Sequence, residues 1–415
     1  MNQTKTYPLP IIGVDVLSSE TALAGGAVRS AVNVDIGRAG RFSRRAGYTR
    51  RIPLSGMHSL FDATQRARAV VARDSALYWL DTDTFDMVLL SVLNSPDPLD
   101  FTEYNGNLYF ANRTTIGWVP HDSTEARPVG VPMPNTPTLS AALGGLTPGK
   151  YGVSITFVND RGEESGATPV QIIDLPQGGG IRMANLSQHL GWTVNVYTTS
   201  ADGDILRWAA EFPAVFPAYA VAETAQGGEV ETQFLGPLPA GSIIRWHNGR
   251  LFTAEGNALR FSEALRPHLH DPAHGVIPFS GNISFVEAVI DGLFVGDERG
   301  VWFLAGADPT KFEQRYVSPY PAVARSSRVV PAGHFSPRVV PPTAPVAVWL
   351  SEVGYVVGAA GGGLTELQKD RVRIPSGLAG RSAFLLRDGK KQIITTISAV
   401  STSTAGTAHN SIIGV

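Results

Sequence analysis

The sequence contains no cysteine, which excludes disulfide bonds, thiolate metal sites and cysteine nucleophiles. It also lacks an uninterrupted apolar run of about 18 residues, the length that a membrane-spanning helix needs, so we expect no membrane insertion. The N-terminal segment MNQTKTYPLPIIGVDV has no apolar stretch of the kind found in signal peptides. These absences predict a protein that is made in a cytoplasm and is then soluble or assembled.

Charge is scarce as well. Charged residues make up 17% of the 415 residues, below the roughly 25% that is typical of globular chains. Lys+Arg is 34 and Asp+Glu is 36, which leaves a net charge of −2. A protein whose main task is to grip DNA needs a basic excess, because phosphate neutralisation supplies most of the affinity. We therefore expect at most a passing contact with genomic DNA.

One local basic run departs from this balance. It consists of Arg38, Arg41, Arg44, Arg45, Arg50 and Arg51. The run is either a contact for nucleic acid or a solvated or salt-bridged strand edge, where charges discourage pairing with other strands. The sequence leaves both interpretations open.

Long helical patterns are rare, and Gly13–Gly25 is the best helix candidate. The chain has 44 glycines and 29 prolines, and these residues separate short apolar runs of strand length. Frequent turn residues between short runs are typical of an all-β protein. The length allows two or three domains, or one large β domain with an insertion.

A repeated pattern predicts the larger part of the fold: an Asn-Gly or Asp-Gly step, a short apolar strand, a turn and a second strand. The clearest copies begin at Asn105-Gly106, Asn248-Gly249 and Asp291-Gly292, and weaker copies begin at Gly354 and Arg68. Such steps tolerate the positive φ of tight hairpins. The 43 residues from Gly249 to Gly292 match the roughly 40–50 residues of a propeller blade. We predict a β-propeller-like domain, with a sandwich or irregular barrel as the alternative.

An insertion interrupts the repeats between two proline-rich stretches, residues 132–137 and 236–239. Between them the sequence predicts five strands, at Lys150–Val158, Gln171–Leu175, Gly180–Ala184, Thr193–Thr198 and Ile205–Ala210. Several short strands over about a hundred residues are typical of a fibronectin-like or immunoglobulin-like β-sandwich. The predicted fold is thus all-β, with residues 1–135 and 237–415 as the two parts of the propeller and residues 136–236 as the inserted sandwich.

Three passages together resemble a known class of proteins. The passages are Ala31–Ile36 with Gly40–Tyr48, the sandwich segments Gly162–Gly166 and Tyr197–Gly203, and Phe261–Ala264 with Asp291–Gly296 and Gly300–Leu304. In this order they resemble phage tail and head–tail structural proteins with a propeller core, similar to the tail nozzle of short-tailed phages and to the DNA-stabilisation protein that plugs the tail channel. The resemblance implies a homo-oligomeric ring or other symmetric oligomer in the virion tail, other tail or head–tail connector proteins as partners, and no catalytic residues.

The expected function is therefore that of a non-enzymatic virion protein, in the nozzle or in the tail tip or baseplate, that lines or closes the DNA path. Two alternatives remain: a baseplate or adhesion module that binds a host-surface glycan, and a propeller glycosidase. The aromatic residues on the apolar strands could stack on sugars, but we expect them in the core. They are Tyr78, Trp79, Tyr109, Trp118, Trp302 and Trp349.

A histidine-rich segment is the sharpest metal candidate. His268, His270 and His274 surround Asp271, and imidazoles two residues apart share a face if the segment is a strand. Three histidines and one aspartate could complete a zinc site. Pro267 and Pro272 place the segment in a loop instead, where a histidine-rich surface turn tuned by pH is the plainer interpretation. We expect no metal and no cofactor.

Other candidate chemistry is weakly marked. A glycosidase needs two carboxylates about 5–10 Å apart, and the candidates are Asp291, Asp297, Glu298 and Glu352. Nothing in the sequence distinguishes these from the aspartates and glutamates of hairpin turns. The glycine runs Gly178–Gly180 and Gly361–Gly363 lack the Lys-Ser/Thr step of a phosphate-binding loop.

Overall fold

The computed structural model describes residues 11–36, 40, 42–45, 47, 49–335, 344–375, 377–387, 390–399 and 411–414. Strands dominate these residues, and the helical elements among them are four single-turn 3-10 helices: Thr64–Arg66, Pro309–Lys311, Ala332–His334 and Ala360–Gly362. The prediction of an all-β protein is confirmed. Within the described residues, none of the helices has the length and apolar character to cross a membrane.

The N-terminal segment is not helical, so the prediction for Gly13–Gly25 was wrong. Strand β1 (Gly13–Val14) pairs in parallel with β2 (Ala27–Val28). Between them the carboxylate of Asp15 accepts hydrogen bonds from the backbone N–H groups of Leu17 and Ser18. Such an aspartate turn competes with a helix for the same backbone donors. The next two strands, β3 (Val34–Ile36) and β4 (Phe42–Arg44), form an antiparallel pair.

Five sheets each consist of four consecutive strands, hydrogen-bonded in chain order. The first is β5 (Met57–Ala63), β6 (Arg68–Arg73), β7 (Ala76–Leu80) and β8 (Met87–Val92). The second is β9 (Asp100–Tyr104), β10 (Asn107–Ala111), β11 (Ile116–Val119) and β12 (Arg127–Pro128). The other three follow the insertion.

The insertion contains seven strands in two sheets. They are β13 (Thr138–Leu146), β14 (Gly149–Val158), β15 (Gln171–Leu175), β16 (Gly179–Ala184), β17 (Thr193–Thr198), β18 (Arg207–Pro213) and β19 (Ala218–Val221). Their orders are β13-β16-β19 and β15-β14-β17-β18. Side chains from both sheets, including Tyr151, Phe157, Ile181 and Phe212, form one buried core, so the two sheets pack face to face. The five predicted strands are found with small shifts of their ends, whereas β13 and β19 were not predicted.

The third, fourth and fifth four-stranded sheets follow in the same pattern. The third is β20 (Ile243–His247), β21 (Arg250–Glu255), β22 (Ala258–Phe261) and β23 (Val276–Pro278). The fourth is β24 (Phe285–Val289), β25 (Gly292–Gly296), β26 (Val301–Ala305) and β27 (Glu313–Ser318). The fifth is β28 (Arg328–Val330), β29 (Val346–Ser351), β30 (Gly354–Gly358) and β31 (Leu364–Glu366). A three-stranded sheet, β32 (Leu378–Arg387), β33 (Lys390–Ala399) and β34 (Ser411–Gly414), ends the chain.

In the first four of these sheets, each copy of the repeated pattern coincides with the two inner strands, the second and the third. In the fifth sheet the copy coincides with the inner strand β30 and the edge strand β31. Inner strands are flanked on both sides, and β25 and β30 are buried along their whole length. Burial explains why these strands carry the strongest apolar pattern.

Two of the predicted turns have the expected geometry. The φ angles are +49° and +76° at Asn105 and Gly106, and +50° and +77° at Asn248 and Gly249, as two-residue hairpins with positive φ at both positions require. The third turn is displaced by one residue, because Val289 pairs with Gly292 and leaves Ile290 and Asp291 in the turn.

Close packing explains the glycine at position 292. A Cβ there would lie 2.3 Å from the carbonyl oxygen of Leu304 and 2.7 Å from the ring of Phe303. A glycine and a phenylalanine on neighbouring strands are in close contact elsewhere too, since a Cβ on Gly117 would lie 2.4 Å from the ring of its direct partner Phe110. The phenylalanine ring occupies the space above the glycine on the neighbouring strand.

The chain divides into two compact units. The first comprises residues 1–55, 256–258 and 278–415, and the second comprises residues 56–255 and 259–277. In the first unit Trp349 lies in a core with Phe285 and Phe294. In the second, separate cores surround Phe110 and, in the sandwich, Tyr151. The core prediction is confirmed for Trp79, Tyr109, Trp118 and Trp349, which are buried, whereas Tyr78 and Trp302 are half-buried.

Candidate functional site: a stacked junction in the second unit

Four aromatic rings in the second unit stack in a continuous row that ends on an arginine. Tyr104 lies 4.3 Å from Trp246, Trp246 lies 5.6 Å from Tyr109, and Tyr109 lies 5.7 Å from Trp118, with interplanar angles of 15°, 25° and 10°. The guanidinium carbon of Arg161 lies 4.9 Å from the centre of the Trp118 ring. We call these five residues the stacked junction.

Strand pairing positions the rings. Tyr109 and Trp118 are direct partners on β10 and β11, so their side chains share a face and lie within contact distance. Tyr104 ends β9 in the same sheet, and Trp246 comes from β20. The row of stacked rings therefore connects the second and third four-stranded sheets.

The sandwich contributes Arg161, which lies in the turn after β14. Asn159 holds this turn, because its side-chain oxygen accepts hydrogen bonds from the backbone N–H groups of Arg161 at 2.9 Å and Glu163 at 3.0 Å. The fixed backbone places the guanidinium over Trp118, where a cation meets the negative face of the ring.

Ion pairs accompany the stack. Arg127 on β12 donates two hydrogen bonds, of 2.8 and 3.1 Å, to the carboxylate of Asp160 beside Arg161. This contact lowers the pKa of Asp160 and raises the pKa of Arg127. Arg161 also lies 4.0 Å from Asp122. Exposed ion pairs of this kind contribute little to the free energy of unfolding. An arginine that donates two hydrogen bonds to one carboxylate nevertheless fixes the orientation of that carboxylate.

Two carboxylates lie behind the turn. Glu163 accepts a hydrogen bond from the side-chain amide of Asn159 at 2.7 Å, and Glu164 accepts one from the hydroxyl of Tyr197 at 2.7 Å. Burial raises the pKa of Tyr109 and of Tyr197, and the negative charges of Glu163 and Glu164, respectively, raise them further. Both phenols thus stay protonated across the ordinary pH range.

His268 belongs to the same region. Its side chain is largely buried, with Nδ1 4.0 Å from a carboxylate oxygen of Glu163. Burial lowers the pKa of His268, and the charge of Glu163 only partly opposes that effect. The imidazole is therefore neutral at neutral pH.

The other two metal candidates have different surroundings. The Nδ1 atom of His270 lies 2.8 Å from the carbonyl oxygen of Phe261, and its backbone forms two hydrogen bonds with Gly236 at the end of the insertion. His274 is exposed and lies 2.8 Å from Asp271. In the described part of the chain no group of three or more histidine, aspartate or glutamate side chains is placed to hold a metal ion.

The candidate glycosidase carboxylates hold turns. Asp297 is fully buried and accepts hydrogen bonds from the backbone N–H groups of Arg299 and Gly300 and from the indole of Trp302. Asp291 accepts one from the backbone of Gly361 at 2.7 Å. The exposed Glu298 accepts one from Asn282, also at 2.7 Å. Glu352 is half-buried in the turn between β29 and β30.

The basic run is only partly described, since Arg38 and Arg41 lie outside the described residues. Arg45 forms an ion pair with Asp35 at 3.1 Å. Arg50 donates hydrogen bonds to the backbone carbonyls of Ile52 and Leu54. The ion pair of Arg45 fits the interpretation of a salt-bridged strand edge, whereas the contacts of Arg50 are local to its own segment.

The sequence did not indicate the junction as a unit. Tyr109 and Trp118 were predicted to lie in the core, and the segment Gly162–Gly166 next to Arg161 was part of the resemblance, but Tyr104, Arg161 and Trp246 were not singled out. The members are separated by up to 142 residues, from Tyr104 to Trp246, so no local spacing joins them. A tryptophan two residues before the Asn248-Gly249 turn was the one available signal.

The comparisons with known proteins assign no family. No protein-family model matches the sequence, and no curated protein matches it. Among solved structures, the computationally designed Ika8 protein is 11% identical, with 82% of this chain and 93% of that chain covered and a TM-score of 0.25. Hsv2 of Kluyveromyces lactis is 7% identical, with coverages of 80% and 87% and a TM-score of 0.28. The extracellular domain of the putative one-component system BT4673 of B. thetaiotaomicron is 7% identical, with coverages of 87% and 72% and a TM-score of 0.23. With TM-scores this low, these likenesses support no argument about fold or function.

Proposed function

We propose that this chain is a non-enzymatic structural part of a bacteriophage tail. It would form a homo-oligomeric piece of the nozzle, or of the tail tip or baseplate, that contacts other tail proteins and lines or closes the DNA path. The stacked junction is the observation that carries the proposal. The row of stacked rings ends at the guanidinium of Arg161 and is flanked by ion pairs. It joins the inserted sandwich to the second and third four-stranded sheets as one rigid body. A protein that transmits force through a tail needs such rigidity.

The repeated sheets support a finer proposal about architecture. Four consecutive strands in chain order are the unit of a propeller blade. We infer that the five four-stranded sheets are blades and that the short N-terminal pairs and the C-terminal sheet complete the ring. The inserted strands form sheets of three and four strands, as in fibronectin-like and immunoglobulin-like sandwiches.

The proposed mechanism is mechanical. The blades form a rigid wall or platform, and the sandwich docks a neighbouring protein. The net charge of −2 suits a wall along which DNA slides, because tight phosphate binding would hold the genome in place. A salt-sensitive, high-affinity interaction with DNA in a binding assay would contradict this mechanism.

The first test is the mass of the purified chain in solution, measured before and after it is mixed with virion extract, with electron microscopy of the particles formed. We expect a symmetric oligomer or incorporation into tails. A monomer that ignores virion components would refute the proposal.

The glycan-binding alternative has a separate test. In the stacked junction, the inner rings have a neighbour on each face, so those faces are not available to a sugar. We expect no binding on a glycan array, and specific binding there would favour an adhesion module.

A further inference from the structure

The edge strands of the five four-stranded sheets differ in how they resist pairing with other chains. Natural edge strands are protected by charges, by proline, by short length or by bulges. Nine of the ten edge strands in these sheets contain a charged residue or a proline. These residues are Asp62 in β5, Asp100 and Glu103 in β9, Arg127 and Pro128 in β12, Arg245 in β20, Pro278 in β23, Glu287 in β24, Glu313 and Arg315 in β27, Arg328 in β28 and Glu366 in β31.

Strand β8 is the exception. Its sequence, Met-Val-Leu-Leu-Ser-Val, has neither a charge nor a proline. Val88, Leu89 and Val92 are 64%, 56% and 73% exposed. Val88 and Leu89 are adjacent, and adjacent side chains on a strand point to opposite faces. The strand therefore exposes apolar side chains on both faces of the sheet.

Among the described residues, the backbone of β8 is paired on one side only. Its partner is β7, and it lies at the end of the order β5-β6-β7-β8. The other side presents N–H and C=O groups that another extended strand can pair with. The strand has one protective feature, a bulge at Leu90 in the middle of the strand, since Leu77 pairs with Ser91 and Tyr78 with Leu89.

We propose that β8 is a self-association edge, which pairs antiparallel with β8 of a second copy of this chain across a twofold axis. A twofold axis makes each residue face a residue of the same strand. A charged strand would then place like charges close together, which is destabilising, whereas β8 has no charge to repel its twin. Asp86, just before the strand, would lie beside the partner's uncharged segment after the strand, Leu93–Ser95.

If the twofold axis passes through the bulge, the regular residues on either side of it can pair with the other copy. Met87–Leu89 of one copy then faces Leu90–Val92 of the other, and the two bulges meet at the centre. The result is a continuous eight-stranded sheet shared by two copies. This inference rests on the proposed function in one respect: it names a surface for the homo-oligomer proposed above.

The size of the contact sets its strength. Stable interfaces bury about 800 Å² on each partner, and a strand of six residues supplies only part of that area. The pairing is therefore concentration-dependent in a dilute solution of the chain. In an assembly, other contacts raise the effective concentration of the two edges.

Sedimentation equilibrium of the full chain over a wide concentration range, with amide exchange of β8 followed in parallel, tests the proposal. We expect a reversible dimer and slower exchange of β8 amides as concentration rises. Leu89→Lys should weaken the dimer at least tenfold, because it places a charge on the paired edge. Leu143→Lys is the matched control, since Leu143 is 97% exposed on a strand of the sandwich.

Charge complementation separates loss of pairing from loss of folding. Leu89→Lys and Leu89→Glu should each associate weakly with themselves, and an equimolar mixture of the two should recover the dimer. Equal association of Leu89→Lys and Leu143→Lys would overturn the proposal, and so would β8 amides whose exchange does not depend on concentration.

The same experiment distinguishes this inference from the proposed function. If the chain joins virion components while β8 stays unprotected, the β8 pairing is wrong and the proposed function stands. If the chain neither self-associates nor joins virion components, both are wrong.

Discussion

The first and second four-stranded sheets have the same strand order, but their last strands differ in length, charge and exposure. In the second sheet β12 has two residues, one of them proline, and the sandwich contacts this end of the sheet: Arg127 donates hydrogen bonds to Asp160, and Arg161 lies over Trp118 of β11. In the first sheet β8 has six residues, all uncharged, and its apolar side chains are exposed. The difference sets a short, polar edge that the sandwich contacts against a longer, uncharged edge that, among the described residues, pairs with no strand besides β7.

Replacement of Trp118 by alanine should cause the largest loss in the free energy of unfolding. The substitution removes a buried ring that lies between Tyr109 and Arg161, and loss of a buried tryptophan costs about 3–5 kcal/mol. Denaturant unfolding followed by fluorescence measures the loss. Trp208→Ala is the control, because Trp208 is 39% exposed and should cost far less. Equal losses would mean that the stack contributes no more than ordinary surface packing.

Cysteine cross-linking tests the proposed pairing of β8 with β8 of a second copy. The chain has no cysteine of its own, so any disulfide formed by single-cysteine variants is intermolecular. With the axis through the bulge, Val88 faces Ser91 of the other copy, and a mixture of Val88→Cys and Ser91→Cys should cross-link at least tenfold faster than Val88→Cys mixed with Leu143→Cys. Equal rates in the two mixtures would count against the register.

Removal of the Arg161 guanidinium should cause a moderate loss in the free energy of unfolding. Arg161→Ala leaves the stacked rings in place and removes the contact above Trp118, which is worth about 0.5–2 kcal/mol. Thermal or denaturant unfolding measures it, with Arg207→Ala as the control because Arg207 forms an exposed pair with Glu229. If the two variants lose the same stability, the guanidinium acts only as a surface charge.

Mild acid should weaken the packing around His268. Burial lowers the pKa of His268 below 6.5, with Glu163 and Glu164 opposing the shift and Arg266 reinforcing it. The unfolded chain therefore binds a proton that the folded chain excludes, and stability falls as pH drops below about 6.5. His268→Gln should flatten the dependence of unfolding free energy on pH between 7.5 and 5.5. If His268→Gln keeps the pH dependence of the parent chain, burial of His268 does not cause that dependence.

The sequence predicted features whose causes are local. The turns at Asn105-Gly106 and Asn248-Gly249 follow from residues that tolerate positive φ, and the inner strands follow from burial on both faces. The displaced turn at Ile290-Asp291 shows the limit of this reasoning: Gly292 is required by the ring of Phe303 on the next strand, and a sequence pattern cannot separate that cause from a turn.

Features with distant causes were missed. The histidine pattern suggested three converging ligands, yet His270 is fixed by the backbone of Phe261 and Gly236 while His274 faces solvent. The stacked junction depends on strand register and on the position of the inserted turn, which place Tyr104, Arg161 and Trp246 together. The weak strand β13 was missed because its small, uncharged residues show no apolar alternation.

The packing of Phe110 over Gly117 implies a constraint on how the sequence can change. A larger residue at position 117 collides with the ring, and a smaller residue at position 110 leaves a void above the glycine. Neither position can drift alone without loss of stability, so the two form a single unit of variation. In divergent copies of this chain, we expect the pair to be kept or exchanged together, and the ring to move to the other strand in some of them.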